Sequence, residues 1–271
     1  RDIDRLKLAM ADIDIVIHTA ALKQVPATEY NPFEAVKTNI IGASNLIEAS
    51  ITTKVKKVVA LSTDKAASPI NLYGATKLCS DKLFIAANNY VGTTKMSFAV
   101  VRYGNVMNSR GSVVPFFISA AKKGLIPITD KRMTRFNITL KEGVNFVLKA
   151  FSKSRGGEIF IPKIPSYRII DLAKAISPKC RIKRIGIRPG EKIHEEMITE
   201  SDSFATFDIG DYYIVLPNKN KKILNHYSKK FNLKKVKKGF RYSSGLNTSF
   251  LKIEQIRKLI KKHVDKNFKP I

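Results

Sequence analysis

Tyr73 and Lys77 stand four residues apart, a spacing that places both side chains on one face of a helix. An ammonium beside a phenol favours phenolate and lowers the phenol's pKa. The pair is therefore predicted to draw a proton from a substrate hydroxyl. Shortly before it, Thr63, Asp64 and Lys65 follow an apolar run. Asp64 and Lys65 supply a second acid and base, and two such sets in one site predict chemistry beyond simple alcohol oxidation. Taken alone, Tyr-x-x-x-Lys equally fits the start of an ordinary amphipathic helix. Asp64 and Lys65 equally fit a solvated pair in a turn ahead of Pro69.

The elements that must position these residues alternate. Residues 14–19, 55–62 and 96–103 read as short apolar strands, and residues 31–50 and 71–90 as helices, with Pro32 in the first turn of the former. This alternation predicts an α/β fold with a doubly wound, Rossmann-like parallel sheet. Ligands of such sheets bind beyond the carboxyl ends of the strands. Residues 18–22, 62–65 and 103–105 all fall at such ends, so the chemistry-bearing residues gather on one edge. Further on the pattern loosens. Helices are predicted over 112–123, 141–152 and 168–176, strands over 158–161 and 182–187, and a short helix from Gly190, with 127–139 an irregular basic segment. Residues 1–110 are read as the nucleotide-binding domain and 111–271 as a smaller α/β substrate-binding cap, with elements exchanged between them.

Composition narrows the classes. With 44% hydrophobic residues in 271, the chain can build a sizeable core. No run of about 18 apolar residues occurs, so no membrane span is expected. Cys79 and Cys180 are the only two cysteines; they give no disulfide framework and fit a reducing cytoplasm. Neither they nor His18, His194, His226 and His263 have metal-ligand spacing. The net charge of +27 raises nucleic-acid binding as a reading. Lysine is densest at 219–222, 229–230 and 234–238, interleaved with Phe231, Phe240, Tyr242 and Phe250. No zinc finger, helix-turn-helix or aromatic RNA-reading motif accompanies it, so nucleic acid is not the expected partner. The chain opens Arg1-Asp2-Ile3-Asp4, without methionine or secretory pattern, and is read as a fragment whose start lies upstream.

Ordered motifs along the chain carry a resemblance: residues 18–26 (His-Thr-Ala-Ala-Leu-Lys-Gln-Val-Pro), 37–45 (Lys-Thr-Asn-Ile-Ile-Gly-Ala-Ser-Asn), 62–77, 101–105, 109–115, 127–130, 132–136 and 186–192. Together they resemble the extended short-chain dehydrogenase/reductases, and most closely the inverting UDP-N-acetylglucosamine 4,6-dehydratases that open pseudaminic acid synthesis. Tyr73 favours this soluble branch over the membrane-anchored retaining one, which tends to carry methionine there.

The resemblance implies NADP, rather than NAD, as cofactor, UDP-N-acetylglucosamine as substrate, a homo-oligomer (dimer or hexamer) and a cytoplasmic location. It implies catalytic roles for Asp64, Lys65, Tyr73 and Lys77. Ala20, Gln24, Ser62 and Thr63 join Tyr73 and Lys77 around the cofactor. Lys23, Thr63, Asn105, Val114, Arg135, Arg188 and Glu191 face the substrate, with the arginines on the diphosphate and Glu191 on ribose hydroxyls. Asn39 matches a family asparagine beside the site. Three departures stand out. The glycine-rich turn that seats a pyrophosphate is absent and is expected in roughly 65 upstream residues, about two strand–helix units. Without it the chain is expected to bind cofactor poorly. Asn137 and Phe250 stand where tryptophan is expected, and the tail is more basic than the resemblance leads one to expect. An epimerase of the same fold, which needs no Asp64–Lys65 pair, and a non-catalytic remnant are the other readings.

Overall fold

A computed structural model describes residues 1–92, 95–109, 111–217 and 221–271. Arg110 of the 109–115 motif and Lys219 of the basic run lie outside the described residues. The chain forms two compact units, Arg1–Tyr103 with Asn145–Lys163 and Met197–Arg241, and Gly104–Val144 with Ile164–Glu196 and Tyr242–Ile271.

The first unit is built on a seven-stranded sheet: β1 Ile15–His18, β2 Lys57–Leu61, β3 Ser97–Val101, β4 Ile159–Pro162, β5 Thr206–Asp208, β6 Tyr212–Val215 and β7 Lys234–Lys235, in the order β1-β2-β3-β4-β6-β5-β7. The first four pair in parallel, and β6, β5 and β7 continue antiparallel. β2 (Lys-Val-Val-Ala-Leu) and β3 (Ser-Phe-Ala-Val-Val) are the near-continuous apolar runs that a sheet covered on both faces demands. Val59, Ala99, Val101, Phe160, Tyr212 and Ile214 pack in its core. β1 is an outer strand with Ile15 46% and Ile17 43% exposed.

The predicted helix over 31–50 forms as Pro32–Val36, a π-helical turn Lys37–Ile41 and Gly42–Thr52. The helix after β2, Leu72–Ala87, starts where Asn71 accepts the Gly74 N–H at 2.8 Å, an N-cap that satisfies one orphan donor of the first turn.

In the second unit, Asn105–Val106, Thr134–Ile138 and Ser166–Arg168 form a three-stranded sheet, and Leu125–Ile128 pairs with Arg181–Arg184. Helices Val113–Ala121, Ile169–Ile176 and Ile253–His263 pack on an apolar cluster that includes Phe117, Ile126, Leu172 and Ile256. The segment 127–139 is thus not irregular. It holds parts of two strands around a turn in which the Asp130 carboxylate accepts from Arg132 at 2.9 and 3.0 Å, and those charges masked the alternation. The strand predicted over 182–187 stops at Arg184, and no helix begins at Gly190. Gly190 follows Pro189 and has φ +76°, a left-handed conformation that cannot continue a helix.

Candidate active site

Beyond the end of β2 the ladder runs on: Ser62 N–H donates to the Val101 carbonyl at 2.7 Å, and Asp64 N–H to the Tyr103 carbonyl at 3.2 Å. These bonds aim the chain into a 3-10 turn, Asp64–Ala66, capped by Thr63. The Thr63 hydroxyl accepts from Lys65 N–H at 3.3 Å and donates to Asp64 Oδ1 at 3.1 Å. Lys65 Nζ donates to the same carboxylate oxygen at 3.2 Å. The Asp64 side chain is 1% exposed and that of Lys65 25%. Acid and base therefore form one ion pair, buried at the carboxylate end and open at the ammonium end.

Gly74 lets this turn sit on the helix that follows. A methyl built there would overlap the Lys65 carbonyl oxygen and meet Pro69 Cβ at 3.0 Å. Glycine between Tyr73 and Lys77 is what brings the Asp64–Lys65 turn against the Tyr73 helix.

Tyr73, Lys77 and Asp81 follow at four-residue intervals on one helical face, all buried. The structure corrects the expectation for Tyr73. Its pKa is raised: burial is the largest cause, the Thr63 hydrogen bond and the Lys65 charge pull it down, and Asp64 and Asp81 push it up. The cation acting on the phenol is Lys65 and not Lys77. Burial lowers the Lys77 pKa against the opposing charge of Asp81. The Lys77 ammonium has no hydrogen-bond acceptor among the described residues. His18, at the end of β1, is lowered to about 4 by burial and by Lys77, so it is neutral near pH 7.

Asn39, on the π turn, holds the loop after β1. Its carboxamide oxygen accepts from Leu22 N–H at 2.8 Å, and its nitrogen donates to the Leu22 carbonyl at 2.9 Å and to Thr76 Oγ1 at 3.0 Å. Ala20, Lys23 and Gln24 lie exposed on that braced loop, with Gln24 at the start of helix Val25–Tyr30. Ser62 donates its hydroxyl to Asp81 Oδ2 at 2.6 Å, which leaves its lone pairs facing elsewhere.

In the second unit Asn105 pairs with Asn137, and its buried Oδ1 has no hydrogen-bond partner among the described residues. Arg188 is exposed and lies 3.9 Å from Glu191, so its guanidinium can reach an anion. Arg135 is different. It donates to the Thr134 and Ile193 carbonyls at 2.7 and 3.1 Å and pairs with Glu195 at 3.7 Å, so its guanidinium is engaged within the second unit. Val114 also turns inward, into the apolar cluster, so any substrate contact there is left to its backbone. Asn137 is buried, and Phe250 stacks on the Arg168 guanidinium at 4.7 Å.

Sequence reading missed Asp81, Arg102 and Asp202. Arg102 donates to Asp81 Oδ2 and Asp202 Oδ2, each at 3.3 Å, and to the Met197 carbonyl at 3.0 Å. Only Asp81 carried a signal, as an acid one turn beyond Lys77.

A profile of the polysaccharide biosynthesis protein family matches residues 1–217. The chain belongs to that family. Within reach of it, a Campylobacter jejuni protein named UDP-N-acetylglucosamine 4,6-dehydratase (inverting) is 53% identical, covering 96% of this chain and 80% of its own. A Rickettsia canadensis protein named UDP-glucose 4-epimerase is 43% identical, covering 93% and 75%. Among solved structures, Pen from Bacillus thuringiensis superposes with a TM-score of 0.86 at 40% identity, over 96% of this chain and 79% of that one. The resemblance read from the motifs and the parallel α/β architecture both hold. The family's α/β sheet accounts for the site, since its turns after β1, β2 and β3 carry 19–24, 62–66 and 102–104. The buried Lys77 ammonium, with no acceptor among the described residues, and the braced loop that carries Ala20 and Ala21 fit the ribose hydroxyls and backbone approach of a dinucleotide.

Proposed function

We propose that this protein is a UDP-N-acetylglucosamine 4,6-dehydratase that inverts C5, converting its substrate to UDP-2-acetamido-2,6-dideoxy-β-L-arabino-hex-4-ulose and water. The observation that carries this reading is the Asp64–Lys65 ion pair held by Gly74 against the helix of Tyr73 and Lys77. An alcohol oxidation needs one proton-transfer group; elimination of water needs a base at C5 and an acid at O6 as well.

A bound nicotinamide dinucleotide would supply the hydride chemistry, accepting hydride from C4 and returning it to C6. The chain's own residues do the rest. Tyr73 exchanges the proton of the 4-hydroxyl; burial holds it as phenol in the free protein, and Lys65 already opposes that. Lys77 holds ribose hydroxyls and Thr63 the sugar near O4. Transfer of a proton from Lys65 to Asp64 across their 3.2 Å contact leaves a neutral amine and a carboxylic acid; the ketone at C4 acidifies C5–H, the Lys65 amine takes that proton, and Asp64 gives its own to the departing 6-hydroxyl. Return of a proton to the opposite face of C5 inverts the centre. Arg188 and Glu191 hold the diphosphate and ribose of UDP, and Lys23 and Asn105 contact the sugar. Ala20, Gln24 and Ser62 line the cofactor.

In this reading residues 1–110 serve mainly the cofactor and 111–271 mainly the substrate. The cofactor is NADP, the protein is a cytoplasmic homo-oligomer, and the product enters pseudaminic acid synthesis; each of these finer statements rests on the resemblance. Product analysis tests the function. Full-length protein is incubated with UDP-N-acetylglucosamine and NADP in deuterated water. A 4-keto-6-deoxy sugar with deuterium at an inverted C5 is expected, and a 4-epimer with no water lost would refute elimination.

A further inference from the structure

Asp81 lies one turn beyond Lys77 and two beyond Tyr73 on the same face of helix Leu72–Ala87, and its side chain is 2% exposed. One carboxylate oxygen accepts from Ser62 Oγ at 2.6 Å and from Arg102 at 3.3 Å. Arg102 is itself buried and held by Asp202 and the Met197 carbonyl. The helix position of Asp81 is thereby tied to the ends of β2 and β3, from which the catalytic turn departs. We propose that Asp81 is a positioning residue: braced by Ser62 and Arg102, it holds Lys77 in register with Tyr73 and presents a buried anion to it from one helical turn away. The inference rests on the dehydratase reading for its catalytic consequence, but not for its structural core.

Other charged and titratable groups lie on the elements around Lys77. Asp64 and Lys65 stand on the 3-10 turn and are paired with each other. His18 stands at the end of β1 and is neutral near pH 7. Arg102 follows β3, and Asp202 holds it. Glu29 accepts the Leu72 N–H at 2.7 Å, and Glu34 pairs with Arg1 and Lys37. Tyr73 shares the helix. Of all these, Asp81 is the group whose charge raises the Lys77 pKa, and it pushes Tyr73 up as well. Removing its charge therefore lowers both, since each buried group loses a nearby anion that favours its protonated form.

The test is a lysine titration in ligand-free, full-length protein labelled with carbon-13 at lysine Cε. The Lys77 resonance is the one lost in Lys77→Arg. Its midpoint is expected to fall in Asp81→Asn and to return towards the parent value in Asp81→Glu; an unchanged midpoint in Asp81→Asn overturns the proposal. Should that variant fail to fold, Asp81→Asn with Arg102→Gln removes both buried charges together, and the Lys77 midpoint is again expected below the parent's. Under turnover, Asp81→Asn should lower kcat about tenfold with KM little changed, and move the pH profile of kcat to lower pH. A purely structural Asp81 would lower the yield of folded protein and leave the profile in place. If the parent protein makes no 4-keto-6-deoxy sugar, the dehydratase reading fails while the Lys77 titration still decides the role of Asp81.

Discussion

Gly74→Ala probes the contact on which the candidate site depends. The added methyl overlaps the Lys65 carbonyl oxygen and presses on Pro69 at 3.0 Å. Neither neighbour is the free end of a flexible side chain: one is backbone and the other a ring between Ser68 and Ile70. The Asp64–Ala66 turn must therefore retreat by about 1 Å from the helix. Overpacking of this kind costs about 1–3 kcal/mol of stability, to be read as a lower urea midpoint at an unchanged slope. The kinetic effect should be larger. A displacement near 1 Å of reacting groups costs about 100-fold in rate, equal to about 2.7 kcal/mol of barrier. Lys65 and Asp64 move with the turn while Tyr73 and Lys77 stay with the helix, so water loss should suffer more than the initial oxidation at C4. Single-turnover reduction of the nicotinamide cofactor and release of 4-keto-6-deoxy product, measured on the same folded sample, separate the two steps. Gly124→Ala is the control, because a methyl there meets open space and only the φ of +76° is strained; it should lose stability without losing rate. A folded Gly74→Ala that eliminates water within twofold of the parent rate would refute the idea that this close approach sets the catalytic geometry.

Lys65→Ala should abolish elimination, by about 100-fold or more, while UDP-N-acetylglucosamine binding by calorimetry stays near the parent value; near-normal product formation would remove Lys65 as base. Arg188→Ala should raise KM about tenfold with little change in folding, because among the described residues the exposed fork faces Glu191 at 3.9 Å, a weak partner. Arg135→Ala should instead lower the thermal midpoint, since it frees two backbone carbonyls and Glu195; the reverse pattern would exchange their roles. His18 ties stability to pH. Its native pKa is about 4 against roughly 6.5 unfolded, so between those values the unfolded chain binds the extra proton. Its stabilising contribution is complete above about pH 6.5 and is lost as pH falls towards 4, amounting to about 3 kcal/mol. His18→Gln should flatten the urea midpoint between pH 7 and 4.5; parallel curves for variant and parent would contradict this.

Much of the first unit was legible because its signals are local. The apolar runs of β2 and β3 and the Asn71 cap before Tyr73 mark strand and helix without reference to partners. The spacing of Tyr73, Lys77 and Asp81 follows from helix geometry alone. The second unit was less legible, because Lys131 and Arg132 in the turn obscured the alternation of the two strands around them, and because the turn that Pro189-Gly190 signals was read as the start of a helix.

The site divides the same way. Residue types and intervals determined that a phenol, two amines and a carboxylate would be presented after a parallel strand, since strand ends and helix faces are local properties. Which groups are charged, and which are already engaged, was decided by burial and by partners distant in the chain. Burial outweighs the neighbouring cation at Tyr73 and raises its pKa. The guanidinium of Arg135 is drawn inward by carbonyls on either side of a fold, while Arg188 remains exposed. Asp81, Arg102 and Asp202 lie far apart in sequence and meet only when β3 and the turn Ser201–Ala205 come together. Desolvation and long-range pairing depend on the packed environment, which no short stretch of chain contains.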